Sequence, residues 1–154
     1  MRDFDKDELL GIQAVALFKK YLDGINKGYV DASVQQQKDG IDLIVEGIEV
    51  EIKHQRYEGH IVVEEASIGG RGTGWVYTSK AKYLVEVYDN KHITKIDMLQ
   101  LRKWITTGGR NYPLYYNDKT NGNRGDIWQS SFKMIPLKAL SGYVAVKEII
   151  LESK

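Results

Sequence analysis

Four carboxylates and an ammonium crowd the stretch GIDLIVEGIEVEIKHQ, residues 40–55: Asp42, Glu46, Glu49, Glu51 and Lys53. Glu46-Gly47 separates IDLIV from IEVEIK, and a two-residue turn there predicts a β-hairpin, although Asn-Gly or Asp-Gly would be a stronger signal. That turn sets a register in which Val45 faces Ile48, Ile44 faces Glu49, Leu43 faces Val50 and Asp42 faces Glu51. Side chains alternate along a strand, so Glu49, Glu51, Lys53 and Gln55 share one face while Val50 and Ile52 point to the other. Directly opposed residues have β-carbons about 4.5–5.5 Å apart, and like charges there cost very roughly 0.2–1 kcal/mol. A divalent cation offsets such a cost. Mg²⁺ takes hard oxygen ligands, commonly one or two carboxylates with water and a substrate phosphate. Asp42, Glu51 and the backbone carbonyl of Ile52 are the expected ligands. An ion held there activates water and stabilises charge on a phosphoryl transition state, while Lys53 is placed to orient the water or neutralise developing charge. The chemistry suggested is phosphodiester hydrolysis. Alternating Glu and Lys is ordinary on a solvent-facing strand. The argument rests on the conjunction of an acid at the opposite position, apolar alternation behind it, and a helix and strand before it.

The elements that must hold this hairpin follow from periodicity. In DKDELLGIQAVALFKKYLDG, apolar residues Leu9, Ile12 and Ala16, and Leu10, Ala14, Leu17 and Tyr21, fall at three- and four-residue intervals, which predicts an amphipathic helix. Asp5 or Asp7 caps its start, and Gly24, Asn26 and Gly28 supply stop signals. GYVDASVQQQ alternates with a two-residue period and predicts a strand. HIVVEEASI and KYLVEVYD predict further strands, IGGRGTGW a glycine-rich loop, and IDMLQLRKWITTGG a second helix stopped by two glycines. NYPLYYNDKTNGNRGD reads as a long polar connection. The last stretch, IWQSSFKMIPLKALSGYVAVKEIILE, is expected to return at least one strand.

The 154 residues, 42% hydrophobic, are enough to bury a core and predict one domain over 1–154. Twenty-two Lys plus Arg against 21 Asp plus Glu leave a formal charge of +1, so a nucleic-acid partner must be met by a local basic surface. The absence of cysteine excludes a disulfide scaffold and thiolate chemistry and is compatible with a reducing cytoplasm. No apolar run approaches membrane-spanning length, and MRDFDKDELL is too charged for a signal peptide. A cytoplasmic protein with no membrane partner is the expectation.

Asp42, an eight-residue spacer and then Glu51-Ile52-Lys53 resemble the PD-(D/E)xK nuclease superfamily, over roughly residues 5–90. Ile41 stands where the name-giving proline would be. GWVYTSKAKYLVEVYD looks like the strand that follows the motif in phage and restriction-type members. The resemblance implies an α/β fold with a restriction-endonuclease-like core, a mixed, largely antiparallel central sheet flanked by helices. It implies a Mg²⁺-dependent DNA endonuclease, with Mn²⁺ able to substitute, acting as a homodimer. Asp42 and Glu51 then resemble the metal-binding acids and Lys53 the catalytic lysine. Gln55 resembles a frequent extra polar residue near the site. Many members also place an acid on the first helix, for which Glu8 is a candidate, with Gln13 at another plausible position.

For DNA, Arg71 in the glycine-rich loop, with Lys80 and Lys82, is expected to contact phosphates. Ser79 is a further candidate, Trp75 and Tyr77 are candidates for base stacking or buried packing, and Arg102, Lys103, Arg110, Lys119 and Arg124 for a second basic patch. His54, His60 and His92 show no metal-ligand spacing. Two other readings stand beside the nuclease: a catalytically inactive nucleic-acid-binding or regulatory protein on the same scaffold, and an interaction protein whose acids are merely surface.

Overall fold

The computed structural model describes residues 4–67, 72–107, 112–113, 115–121 and 126–151. The first half runs α1 (Phe4–Gly24), β1 (Tyr29–Asp31), α2 (Val34–Lys38), β2 (Leu43–Val45), β3 (Ile48–Gln55), β4 (His60–Ser67), β5 (Gly72–Thr73) and α3 (Trp75–Thr78). The second runs β6 (Tyr83–Tyr88), β7 (His92–Asp97), α4 (Met98–Thr107), β8 (Tyr115–Asn121), β9 (Asp126–Pro136), α5 (Leu137–Leu140) and β10 (Val146–Ile150). Six strands form one mixed sheet in the order β1-β2-β3-β6-β7-β10. Only the central β3–β6 pair is parallel; the other neighbours are antiparallel. A second, wholly antiparallel sheet has the order β5-β4-β9-β8. The fold is therefore α/β with a mixed, mostly antiparallel central sheet.

Helix α1 forms where the periodicity places it, but one face of a helix can meet one sheet, and the buried stripe is Ala14, Phe18 and Leu22. Leu9 and Ile12, two residues of the apolar spacing, are exposed. The stripe packs on Val50 and Ile52 of β3 and Val85 and Val87 of β6. Each fully buried aliphatic side chain of this kind contributes about 1.5–3 kcal/mol. The opposite face of the central sheet, at Leu84 and Ile96, packs on Met98, Leu101 and Ile105 of α4 and on Ile61, Val63 and Ile135 of the second sheet. Strand β6 is thus covered on both faces, and this is why KYLVEVYD is nearly continuous in apolar residues.

The β2–β3 hairpin has the predicted pairs Val45–Ile48, Ile44–Glu49 and Leu43–Val50. Glu46 and Gly47 both have positive φ, 47° and 82°, as a two-residue type I′ turn demands. Other expectations need correction. The predicted strand GYVDASVQQQ stops at Asp31 and gives way to α2, because Ser33 accepts from the Gln36 amide (3.2 Å) while the Gln36 side chain accepts from the Ser33 amide (2.8 Å). This reciprocal capping satisfies two amides that a lone turn would leave open. Ser33→Ala should therefore cost about 1 kcal/mol in urea unfolding; a loss under a few tenths would mean that the cap holds nothing. The polar run NYPLYYNDKTNGNRGD is not simply a connection, since it contains β8, paired along its length with β9. Ile96 and Asp97, placed at the start of the second helix, end β7, and the Asp97 carboxylate instead accepts from the Gln100 amide (2.9 Å) at the start of α4. The last stretch returns β9 and β10, in keeping with the expectation of at least one strand. Within the described residues, no helix is long and apolar enough to cross a membrane.

Candidate functional site

Strand alternation puts Glu51, Lys53 and Gln55 on the face of β3 opposite the α1 core. Glu51 is buried, 4% exposed, because β3 lies inside the sheet. Its Oε1 is 3.3 Å from Lys53 Nζ. Its Oε2 is buried with no hydrogen-bond partner among the described residues. Burial pushes the Glu51 carboxyl up from its ordinary range, against the pull of Lys53 and of the nearby Ser79 hydroxyl, while Asp42 adds to the rise. That hydroxyl also lies 3.5 Å from the Gly40 carbonyl, to which it donates. Gly40 permits this approach: it has φ +84°, and a Cβ there would lie 2.8 Å from Ser79 Oγ.

Asp42 sits beside Glu51 differently from the simple ladder. The regular β2–β3 pairing ends at Leu43–Val50. The Asp42 carboxylate then accepts from the Ile52 amide at 2.7 Å, while its own amide donates to the Val50 carbonyl at 2.9 Å. The expected square opposition of Asp42 and Glu51 is thus replaced by a side chain standing in for a ladder bond. Burial raises the Asp42 carboxyl, and the Ile52 hydrogen bond and Lys53 oppose the rise. In an extended strand the amide and carbonyl of one residue point to the same edge, so the Ile52 carbonyl faces Asp42. Lys53 Nζ also lies 5.5 Å from the centre of the Trp75 ring, within cation–π reach. Trp75 and Tyr77 are both partly buried against the core, in line with packing rather than open stacking.

Gln55 is buried, not a solvated strand end. Its Nε2 donates to Glu86 Oε2 at 2.7 Å, and its Oε1 accepts from the amides of Arg56 (2.8 Å) and Tyr57 (3.1 Å). Glu86 lies directly beside Lys53 in the parallel β3–β6 register. Burial raises its pKa to about 8, with Gln55 and Lys53 pulling the other way. Sequence reasoning passed over Glu86 inside an apolar strand. The available signal was a single carboxylate between Val85 and Val87, where solvent exposure does not explain it. A cavity of about 230 Å³ opens onto Gln55 and Glu86, with His60 and His92 among its lining residues.

The remaining candidates separate. Glu8 is exposed on α1 and makes no hydrogen bond or ion pair with the described residues; Gln13 is also exposed. Lys80 pairs with Asp39 (3.4 Å), whereas Lys82 lies 5.5 Å from the centre of the Tyr83 ring. Arg71, Arg110 and Arg124 lie outside the described residues. Arg102 is partly committed to the fold: its guanidinium donates to the carbonyls of Val76 and Ser79, both at 2.7 Å, and so fixes α3 and the segment that carries Ser79.

Among the described residues no three His, Asp or Glu side chains converge into a cation cage. Two carboxylates, one of them with an oxygen unpartnered among the described residues, and a carbonyl are still a donor set that fits Mg²⁺, which keeps water or phosphate oxygens in its remaining positions. The chain is thus an α/β protein in which a buried Glu51 lies with the partly exposed Asp42 and Lys53 on a mixed sheet. No protein-family model, curated protein or solved structure matches it.

Proposed function

We propose that this chain is a Mg²⁺-dependent DNA endonuclease with a restriction-endonuclease-like core. The observation that carries the reading is Glu51 Oε2, a buried oxygen without a hydrogen-bond partner among the described residues, on a carboxylate whose one ion pair there is with a partly exposed lysine. A buried, incompletely paired acid costs several kcal/mol, and a cation shared with Asp42 removes that cost. The hairpin that carries Asp42, Glu51 and Lys53, joined to a parallel strand, further supports the resemblance to PD-(D/E)xK nucleases.

Asp42, Glu51 and the Ile52 carbonyl would hold the ion, which supplies an activated water and charge stabilisation at the phosphate. Lys53, anchored by Glu51 and Trp75, presents its ammonium where it can donate to the attacking water or to a phosphate oxygen. Gln55 and Glu86 brace the strand end beyond Lys53.

The protein should nick supercoiled plasmid DNA in Mg²⁺ or Mn²⁺ and leave it intact in EDTA. A second reading, a nucleic-acid-binding protein without activity, is favoured by one feature: Glu8, the candidate helix acid, is exposed and has no hydrogen-bond or ion-pair partner among the described residues. DNA retarded in a gel in Ca²⁺ but never nicked in Mg²⁺ would select it. Neither nicking nor retardation would reject both.

A further inference from the structure

We infer that the face of the central sheet opposite Glu51 carries a second nucleic-acid contact, a lysine-rimmed groove that takes the phosphate backbone of a strand. Lys95 of β7 stands directly opposite Lys147 of β10 in the antiparallel register, an arrangement of like charges that weakens a sheet. Lys27 and Lys82 approach the same place. Burial, followed by Lys27, Lys147 and Lys82, lowers the Lys95 pKa. Tyr83 lies at the centre: Lys95 Nζ is 4.0 Å and Lys82 Nζ 5.5 Å from its ring centroid. Among the described residues no carboxylate forms an ion pair with any of the four lysines, although exposed Glu46 lies on the groove wall.

Four ammonium groups with no ion-pair partner among the described residues converge here from separate parts of the chain, and their mutual repulsion is relieved by an anion with several charges in succession. The groove encloses only about 100 Å³, whereas pockets that bury a small ligand run to about 300–1,000 Å³. A nucleotide is therefore not engulfed, and a polymer crossing the surface fits better. Val85 lies in the groove beside Tyr83 and Lys95, and its side chain shares the face of Val50, away from Glu51. A strand bound here does not occupy the Asp42–Glu51–Lys53 group. Of the lysines expected from sequence to contact DNA, Lys82 lies beside this groove, over the Tyr83 ring, while Lys80 is held by Asp39.

The inference concerns binding and stands apart from cleavage, so its test is done in EDTA. Binding of a fluorescent 20-nucleotide strand is measured over a salt series for the wild type and for the Lys95→Gln/Lys147→Gln double variant. The variant should bind about tenfold more weakly, with a log Kd–log salt slope smaller by roughly 1.4, since single strands lose about 0.7 per phosphate contact. Its melting temperature should equal or exceed that of the wild type, because a repulsion has been removed. Amine labelling read by mass spectrometry should show Lys95 and Lys147 protected by the strand. Equal affinity and slope in the two proteins, or protection by a nucleoside triphosphate but not by the strand, would overturn the assignment. Neither outcome bears on Mg²⁺-dependent nicking, which tests the other face.

Discussion

Glu51→Gln and Lys53→Ala are each expected to cut Mg²⁺-dependent nicking by about 10³-fold, the scale on which one well-placed electrostatic group acts in a buried site. The two losses have different causes, and unfolding measurements separate them. At ten times its dissociation constant, Mg²⁺ should stabilise the wild type by about 1.4 kcal/mol. Glu51→Gln should lose that increment, because the orphaned oxygen and its charge are gone. In EDTA the same variant should be as stable as the wild type or more so, since a buried acid has been neutralised. Lys53→Ala should keep the Mg²⁺ increment and fail at the chemical step. Asp42→Asn keeps an oxygen to accept from the Ile52 amide, so it should hold its metal-free stability while losing most of the Mg²⁺ effect. A Lys53→Ala enzyme that nicks at the wild-type rate would remove that residue from the chemistry.

The second large effect concerns Glu86. Its pKa rises from 4.5 to about 8 in the folded protein, above all through burial. Below pH 4.5 the side chain is neutral in both folded and unfolded chains and imposes no penalty. Between about pH 4.5 and 8 the unfolded chain has released a proton that the folded chain retains, so stability falls as pH rises. The slope is about 1.4 kcal/mol per pH unit and the loss levels off above pH 8. Glu86→Gln preserves an oxygen to accept from Gln55 Nε2 and removes the titration. Unfolding free energies of the two proteins should agree at pH 4 and diverge to about 4–5 kcal/mol in favour of the variant at pH 8. Asp42 and Glu51 are raised in the same direction, but both proteins contain them, so the difference isolates Glu86. Parallel pH profiles would show that the Glu86 carboxyl is not held neutral.

The candidate site was legible where its geometry is local. The turn at Glu46-Gly47 joins neighbouring strands, so counting outward from it fixes three pairs of the ladder and which side chains of β3 share a face. Counting failed one step later. Asp42 leaves the ladder to accept from Ile52, because a short carboxylate at a strand end can replace a backbone partner. The capping signature Ser33-x-x-Gln36 was equally local, yet the two-residue alternation across it was taken for a strand; two satisfied amides outweighed a weak periodicity.

The chain's own order thus determined the helix α1, the hairpin and the gathering of Glu51, Lys53 and Gln55 on one face, because backbone periodicity and turn geometry act between residues a few positions apart. Only the tertiary structure decided what stands next to them. Glu86 meets Gln55 across 31 residues because β6 returns parallel to β3, and that return depends on burying both faces of β6 at once, against α1 on one side and α4 with the second sheet on the other. The same packing sends Lys80 to Asp39 and gathers Lys82 with Lys95 and Lys147. Charges near in sequence were separated and charges far apart were brought together, since the apolar faces, which dominate the free energy, set the strand order and the charged side chains follow it.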